Sequence, residues 1–230
     1  PGMGKSTLMC DLTQRLPETI IATQITSSQL IPKDLLCLIS LNFGLFPEEK
    51  EGNAKLLHSL HRFLAEQHKK GKHTLLIIDE AQNLSEKALE ELRLLTTLQA
   101  SNKPLLQIFL VGQEQLRSTV ALPSQLQLRQ RITASYHMRP LNENDTKKYI
   151  LYRLTHCNWQ QNPEFDNKIF YYIYRFSNGI PRIINLICSR LFLHGWLTKS
   201  SFFDIKDLHM IIHELVEEQL LPINKILTEA

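Results

Sequence analysis

The stretch Pro1-Gly2-Met3-Gly4-Lys5-Ser6-Thr7, read together with Leu75-Leu76-Ile77-Ile78-Asp79-Glu80, decides the fold of this 230-residue chain. The first stretch holds the tail of the phosphate-binding loop GxxxxGK[ST] as Gly4-Lys5-Ser6, with the first glycine of that pattern falling two positions before Pro1. Glycines allow a backbone to turn its N–H groups inward around a phosphate with no Cβ in the way. Leu8, Met9, Leu12 and Leu16 follow at helical spacing, which places a helix N-terminus beneath the anion. In such a loop Gly2, Gly4 and Thr7 line the phosphates, Lys5 reaches the β- and γ-phosphates, and the Ser6 hydroxyl ligates Mg²⁺. A glycine turn that merely caps a helix would carry the same triplet, so the reading requires a second element.

That element is the aliphatic run. Four consecutive aliphatic residues read as a strand buried on both faces, as in a parallel sheet, and the two carboxylates at its carboxyl end lie where open α/β sheets bind ligands. There Asp79 would hold Mg²⁺ and Glu80 would polarise the attacking water. Each element accounts for the chemistry of the other, and together they predict binding of ATP with Mg²⁺.

Outward from these two stretches, Thr19 to Thr26 is β-branched and reads as a strand, whereas Pro32 to Phe43 and Ala54 to His68 read as helices, the latter with Leu57, Leu60 and Leu64 on one stripe. Ser85 can cap a helix whose Ala88, Leu92 and Leu95 face the sheet. Leu105 to Gly112 is a further buried strand with Gln113 at its exit, and Ser135 to Met138 reads as a short last strand. This alternation predicts a parallel α/β sheet with right-handed crossovers. Beyond Pro140 strands are not expected: Asn144 to Thr155, Pro163 to Ser177, Pro181 to Leu197 and Asp204 to Glu218 all read as helices. The expected organisation is a nucleotide-binding core over 1–139, a helical lid over 140–200 and a helical extension over 201–230.

Composition bounds the alternatives. With 43% apolar and 21% charged residues the chain has material for a real core, which excludes a disordered or collagenous protein. The net charge of +3 neither demands nor forbids a polyanionic partner. Arg182 and Arg190 interrupt the longest apolar candidate, so no membrane span is expected. Cys10, Cys37, Cys157 and Cys188 lie far apart with no CxxC spacing and read as buried, reduced thiols of a cytosolic protein. His209 and His213 have zinc-protease spacing, but Met210 stands where the general base belongs; these and the pair His58 and His61 read as plain helix faces.

In this order, PGMGKST, LLIIDEAQNL, LEELRLLTTLQ, LLQIFLVGQ, QLRQRI and GIPRIIN resemble AAA+ ATPases of the ExeA/GspA secretion type, over residues 1 to about 200. Ala22-Thr23-Gln24-Ile25 and the segment His156-Cys157-Asn158-Trp159 are most similar to ATPases of exosortase and exopolysaccharide-export loci. The resemblance implies a RecA-like core plus a helical lid. It makes Gln113 the sensor at the end of the fourth strand, beside the γ-phosphate or the attacking water, where the rival role is a helix cap. Arg182 matches the lid arginine that contacts the nucleotide phosphates, with Pro181 at the first helical turn aiming it and Gly179 beside it as a hinge participant. Arg131, or alternatively Arg129, lies in the region that supplies an arginine finger to a neighbouring subunit.

The first strand of such a core precedes the phosphate loop. The expectation is therefore a parent chain with about two dozen or more further N-terminal residues, because loss of a central strand would expose apolar surface and break two ladders. The resemblance further implies self-association, with rings being frequent among relatives, a partner in an envelope secretion or exopolysaccharide-export system, and a cytoplasmic or peripheral inner-membrane location. With no spanning helix or peptidoglycan-binding region after the lid, a soluble partner is favoured over secretin assembly. A DNA-dependent ATPase of the transposition-regulator type and a slow, nucleotide-gated scaffold are the competing roles.

Overall fold

The computed structural model describes residues 2–27, 32–46 and 52–221. It divides into two compact units, one of residues 5–136 and one of residues from His137 onward joined by Gly2–Gly4.

The first unit contains α1 (Lys5–Arg15), β1 (Ile20–Thr26), α2 (Pro32–Asn42), α3 (Asn53–Lys69), β2 (His73–Asp79), α4 (Glu86–Leu95), the two-residue strands β3 (Gln99–Ala100) and β4 (Lys103–Pro104), β5 (Leu106–Leu110), α5 (Glu114–Ala121) and α6 (Leu126–Arg129). An unbroken aliphatic run has no polar face to offer water, and β2 accordingly lies between β1 and β5 in a parallel sheet, with Leu76, Ile77 and Ile78 fully buried. Thr26 pairs with Asp79 and Ile78 with Leu110, so the three strands finish at one level. Helices cover the sheet through narrow stripes. Leu56, Leu60 and Leu64 of α3 recur every fourth residue, Leu35, Leu36 and Ile39 come from α2, and Ala88, Leu89, Leu92 and Leu95 come from α4. Ser85 caps α4, its Oγ accepting the Ala88 N–H at 3.2 Å.

The strand expected over 135–138 is absent. Those residues are unpaired and mostly exposed, and among the described residues β5 forms a sheet edge with Ile108, Phe109 and Leu110 only half buried. A strand is stable only when a neighbour takes up its N–H and C=O groups, and no described residue does so for 135–138.

The second unit contains α7 (Glu143–His156), β6 (Glu164–Phe165), α8 (Ile169–Ser177), α9 (Pro181–Thr198), β7 (Phe202–Phe203) and α10 (Ile205–Glu217). Two expectations are corrected here. The helix expected from Pro163 starts only at Ile169, and strands do not stop at Pro140, because β6 pairs in parallel with β7. The cause is an aromatic cluster: Phe165 packs on Phe170 and Phe203 with ring centroids 5.4 Å apart and on Phe192 at 5.8 Å, which draws the two short segments together. No boundary falls at residue 200 either. Phe203, Leu208, Ile211, Ile212 and Leu215 share one core with Ile173, Ile184 and Ile187, so α10 is part of the helical unit, and the division falls after Tyr136 rather than after residue 139. Residues 222–230 of the expected extension lie outside the described residues.

The histidines have ordinary packing roles. His209 sits against the edges of Tyr172 and Phe176, at 5.7 Å from each ring, and His213 pairs with Glu217 at 3.5 Å. The cysteines are not uniformly buried: Cys10 and Cys157 are exposed, whereas burial pushes the Cys188 thiol up to about 12. Among the described residues no helix is long and apolar enough to cross a membrane.

Gly179 fixes the turn between α8 and α9. Its φ is +68°, the Leu141 N–H donates to its carbonyl at 2.9 Å, and a Cβ placed on it would overlap the Leu141 backbone carbonyl. Gly179→Ala should therefore destabilise the protein by about 2–3 kcal/mol, read as a fall in the denaturation midpoint. An unchanged midpoint would contradict the assigned close approach.

Candidate functional site

Three strands ending at one level bring their exit loops together, and the hydrogen bonds of the sheet continue beyond the strands. The Ser27 N–H donates to the Asp79 carbonyl (2.9 Å), the Val111 N–H to the Ile78 carbonyl (2.9 Å) and the Ala81 N–H to the Val111 carbonyl (2.9 Å). The Asn83 side-chain amide donates to the Ser27 carbonyl at 3.2 Å. The loops after β1, β2 and β5 thus form one stitched rim.

Asp79 is the only charged residue among the described residues that is buried, at 5% exposure. Its Oδ1 accepts the Glu80 N–H at 2.8 Å, and among the described residues it has no ion pair. A carboxylate taken out of water without a counter-charge is destabilising, so the position fits a cation. Ser6 and Thr7 lie in the first turn of α1, where both are exposed and Lys5 is half-buried. A hydroxyl and a carboxylate make an all-oxygen donor set suited to a hard divalent ion such as Mg²⁺.

Glu80 is held in place from several sides. Its backbone is left-handed (φ 53°, ψ 35°), which costs a non-glycine residue about 1 kcal/mol and turns the chain out of β2 into the 3₁₀ turn Ala81–Asn83. Its Oε2 accepts the side-chain amide N–H of Gln82 and that of Gln113, the latter at 3.2 Å. These two amides, Gln82 first, hold its carboxyl below the ordinary value; partial burial works against them and the positive charge of Lys5 adds to them. The same unit therefore brings Lys5, Asp79, Glu80 and Gln113 to one neighbourhood. Gln113 stands at the N-cap of α5, yet its side chain makes no capping bond and spends its amide on Glu80, which removes the helix-cap alternative.

The remaining candidates are placed as follows. Gly2 and Gly4 have φ of +82° and +80°. The Gly2 carbonyl accepts the Arg182 N–H at 3.1 Å, and a Cβ on Gly2 would lie 2.8 Å from the Arg182 Cβ, so the glycine turn packs directly on the start of α9. The Arg182 side chain is exposed. Arg129 ends α6 and Arg131 follows it, and among the described residues neither shares a hydrogen bond with Asp79, Glu80 or Gln113. The Arg129 guanidinium donates to the Ala121 carbonyl at 3.3 Å, whereas among the described residues Arg131 has no side-chain hydrogen bond or ion pair. One residue that joins this constellation, Gln82, is not among those singled out from the sequence. Its only signal was a polar residue two positions after Glu80, in the turn that leaves a buried strand.

A protein-family model described as an AAA domain matches residues 1–120. The chain is 39% identical over 213 residues to General secretion pathway protein A of Aeromonas hydrophila, a match covering 92% of this chain and 37% of that protein, so the chain spans well under half of that relative's length. Among solved structures, Cdc6p from Pyrobaculum aerophilum superposes with a TM-score of 0.71 at 17% identity, covering 96% of this chain and 62% of the other. The Thermotoga maritima RuvB Holliday junction branch migration motor superposes with a TM-score of 0.63 at 18% identity, covering 94% and 59%. At those identities the likeness concerns the fold: a parallel-sheet P-loop core followed by helices.

The isolated charge of Asp79 leads to a direct test. Asp79→Asn keeps an acceptor for the Glu80 N–H and removes the buried charge, so metal-free protein should gain about 1 kcal/mol of stability at neutral pH. Denaturant titration with a chelator present checks this, and a loss of stability would mean that Asp79 already has its counter-charge.

Proposed function

The chain belongs to the AAA domain family, and on that premise we propose that it is a Mg²⁺-dependent ATPase whose nucleotide-driven changes serve a bacterial envelope secretion or exopolysaccharide-export system. The observation that carries the enzymatic reading is the pairing at the end of β2: a buried carboxylate without a counter-charge, followed directly by a carboxylate held by Gln82 and Gln113 and facing the charge of Lys5.

The chemistry then follows from the residues. Lys5 pairs with the β- and γ-phosphates, and the glycine turn at Gly2 and Gly4 presents backbone N–H groups with Thr7 beside them. Ser6 and Asp79 would hold Mg²⁺, which when bound offsets the charge that develops on the phosphate oxygens. Glu80, kept ionised by its two amide donors, accepts a hydrogen bond from the attacking water and aligns it with the γ-phosphorus. Gln113 reports the γ-phosphate to the end of β5. Arg182 contributes a planar, permanently charged group to the phosphates from the start of α9, a role supported by its backbone bond to the glycine turn. Arg131 is the better finger toward a neighbouring copy, because Arg129 is occupied in holding the Ala121 carbonyl. In this reading residues 5–136 are the nucleotide-binding core, the helical unit is the lid, and self-association completes the site.

The secretion assignment draws on the relative named for the general secretion pathway. The exopolysaccharide branch draws on the resemblance of residues 22–25 and 156–159. Likeness to Cdc6p and RuvB is one of fold and brings no nucleic acid to this chain.

The reading is tested by two variants side by side. Lys5→Ala should abolish binding of a fluorescent ATP analogue. Glu80→Gln should bind it as the parent does while its turnover falls by about 10²-fold or more. Parent-like turnover by Glu80→Gln would refute the role of Glu80, and parent-like affinity of Lys5→Ala would refute the phosphate loop.

A further inference from the structure

Gln82 is one of the residues through which the loops after β2 and β5 touch. Its side-chain amide has one donating and one accepting pole, and both are used: the NH₂ group donates to Glu80 Oε2, and Oε1 accepts the backbone N–H of Gln113 at 3.0 Å. The orientation of the amide is dictated by these partners. Turned over, it would set its oxygen against the Glu80 carboxylate and its NH₂ against an N–H, with two repulsions in place of two bonds. The glycine at 112 leaves room for this seat, since a Cβ there would come within 3.0 Å of Gln82 Oε1 and 2.8 Å of Leu116 Cδ2. Gln113 closes the circuit, with its side chain donating to the same Oε2 at 3.2 Å. Among the described residues both amides land on Oε2, so Oε1 of Glu80 is the oxygen left to meet a water molecule.

We propose that Gln82 is a positioning residue: it aims the Glu80 carboxylate and fastens it to the start of α5, so that the water-orienting group after β2 and the phosphate-sensing group after β5 act as one body. Three features make this more than a structural tie. The bonded atom is the carboxylate oxygen itself, the bridge joins two loops 31 residues apart in sequence, and a single amide makes both contacts. A γ-phosphate that draws the Gln113 side chain toward itself leaves Gln82 as the remaining support of Glu80. The catalytic consequence rests on the ATPase reading; the placement of Glu80 does not.

Two substitutions separate positioning from mere support. Gln82→Glu keeps an acceptor for the Gln113 N–H but sets a carboxylate against Glu80, whereas Gln82→Met removes both bonds at similar length. If Gln82 positions Glu80, both variants lose about tenfold or more in kcat while affinity for the fluorescent ATP analogue stays within about twofold. Crystals of nucleotide-free Gln82→Met should then show the Glu80 carboxylate withdrawn from Gln113. Amide exchange gives a third reading: the Gln113 N–H should exchange faster in Gln82→Met and at the parent rate in Gln82→Glu. A Gln82→Glu protein with parent kcat, or a Glu80 carboxylate unmoved in Gln82→Met, overturns the proposal. A parent protein that binds ATP and does not turn it over would instead overturn the ATPase reading, and the crystal result would still decide whether Gln82 places Glu80.

Discussion

Asp79 ends a strand in which each of the five preceding residues is buried, and that dryness is the condition on which the rest of the site depends. Burying a carboxylate costs free energy unless hydrogen bonds or a counter-charge compensate it. The protein supplies one backbone N–H, that of Glu80. It supplies no cationic side chain among the described residues, although Lys5, whose charge reaches Glu80, belongs to the same unit. A structural aspartate would be expected to carry its own partner, as Glu90 does on the surface of α4, where it meets Arg93 at 2.7 Å. On the proposed reading, an external cation would supply the partner that Asp79 lacks among the described residues at the end of this dry strand.

The burial of β2 also explains why the neighbouring loops can be so exact. A parallel strand with a partner on each side has its position fixed by two ladders, and the bonds from Ser27, Val111 and Ala81 carry that fixation past the strand ends. Glu80 can therefore hold a left-handed conformation that a free loop would relax. The strain is local, and the stitched rim over-determines it. Placed this way, the Glu80 carboxylate receives two amide donors, which hold it below its ordinary value, as the proposed water-orienting role would require.

How much of this could be read from residues alone follows from the same physics. The aliphatic run, the acidic pair and the Gly-Lys-Ser tail declare themselves because each residue type is dictated by its own chemistry. Ser85 and Pro181 are legible for the same reason, because capping is local; the stripe expected on α3 has the right spacing, but its first buried member is Leu56 rather than Leu57. Residues 135–138 have a strand's composition, but a strand also requires a neighbour, and composition says nothing of neighbours. The pairing of Glu164–Phe165 with Phe202–Phe203 was invisible because it arises from ring packing between segments far apart in sequence. Gln82 is the clearest case. Glutamine is common in exposed turns, and only the left-handed step at Glu80 and the arrival of Gln113 from β5 give its two poles something to hold.

Gly2 and Gly179 illustrate a constraint that works in the opposite direction, from packing back to sequence. At both positions φ is positive and another backbone or Cβ occupies the space where a side chain would begin. At Gly179 the intruder is Leu141, which locks the entry of α7 against the exit of α8; at Gly2 it is Arg182, the second residue of α9. The glycine turn is thus seated against α9 within the helical unit. A residue with a Cβ at Gly2 would push Arg182 away and, through the Arg182 N–H, loosen the carbonyl that anchors the turn. The requirement for glycine ahead of Lys5 therefore has two separate origins. One is the freedom to turn N–H groups toward an anion, and the other is the close seat against α9, which would remain a requirement even with no anion bound.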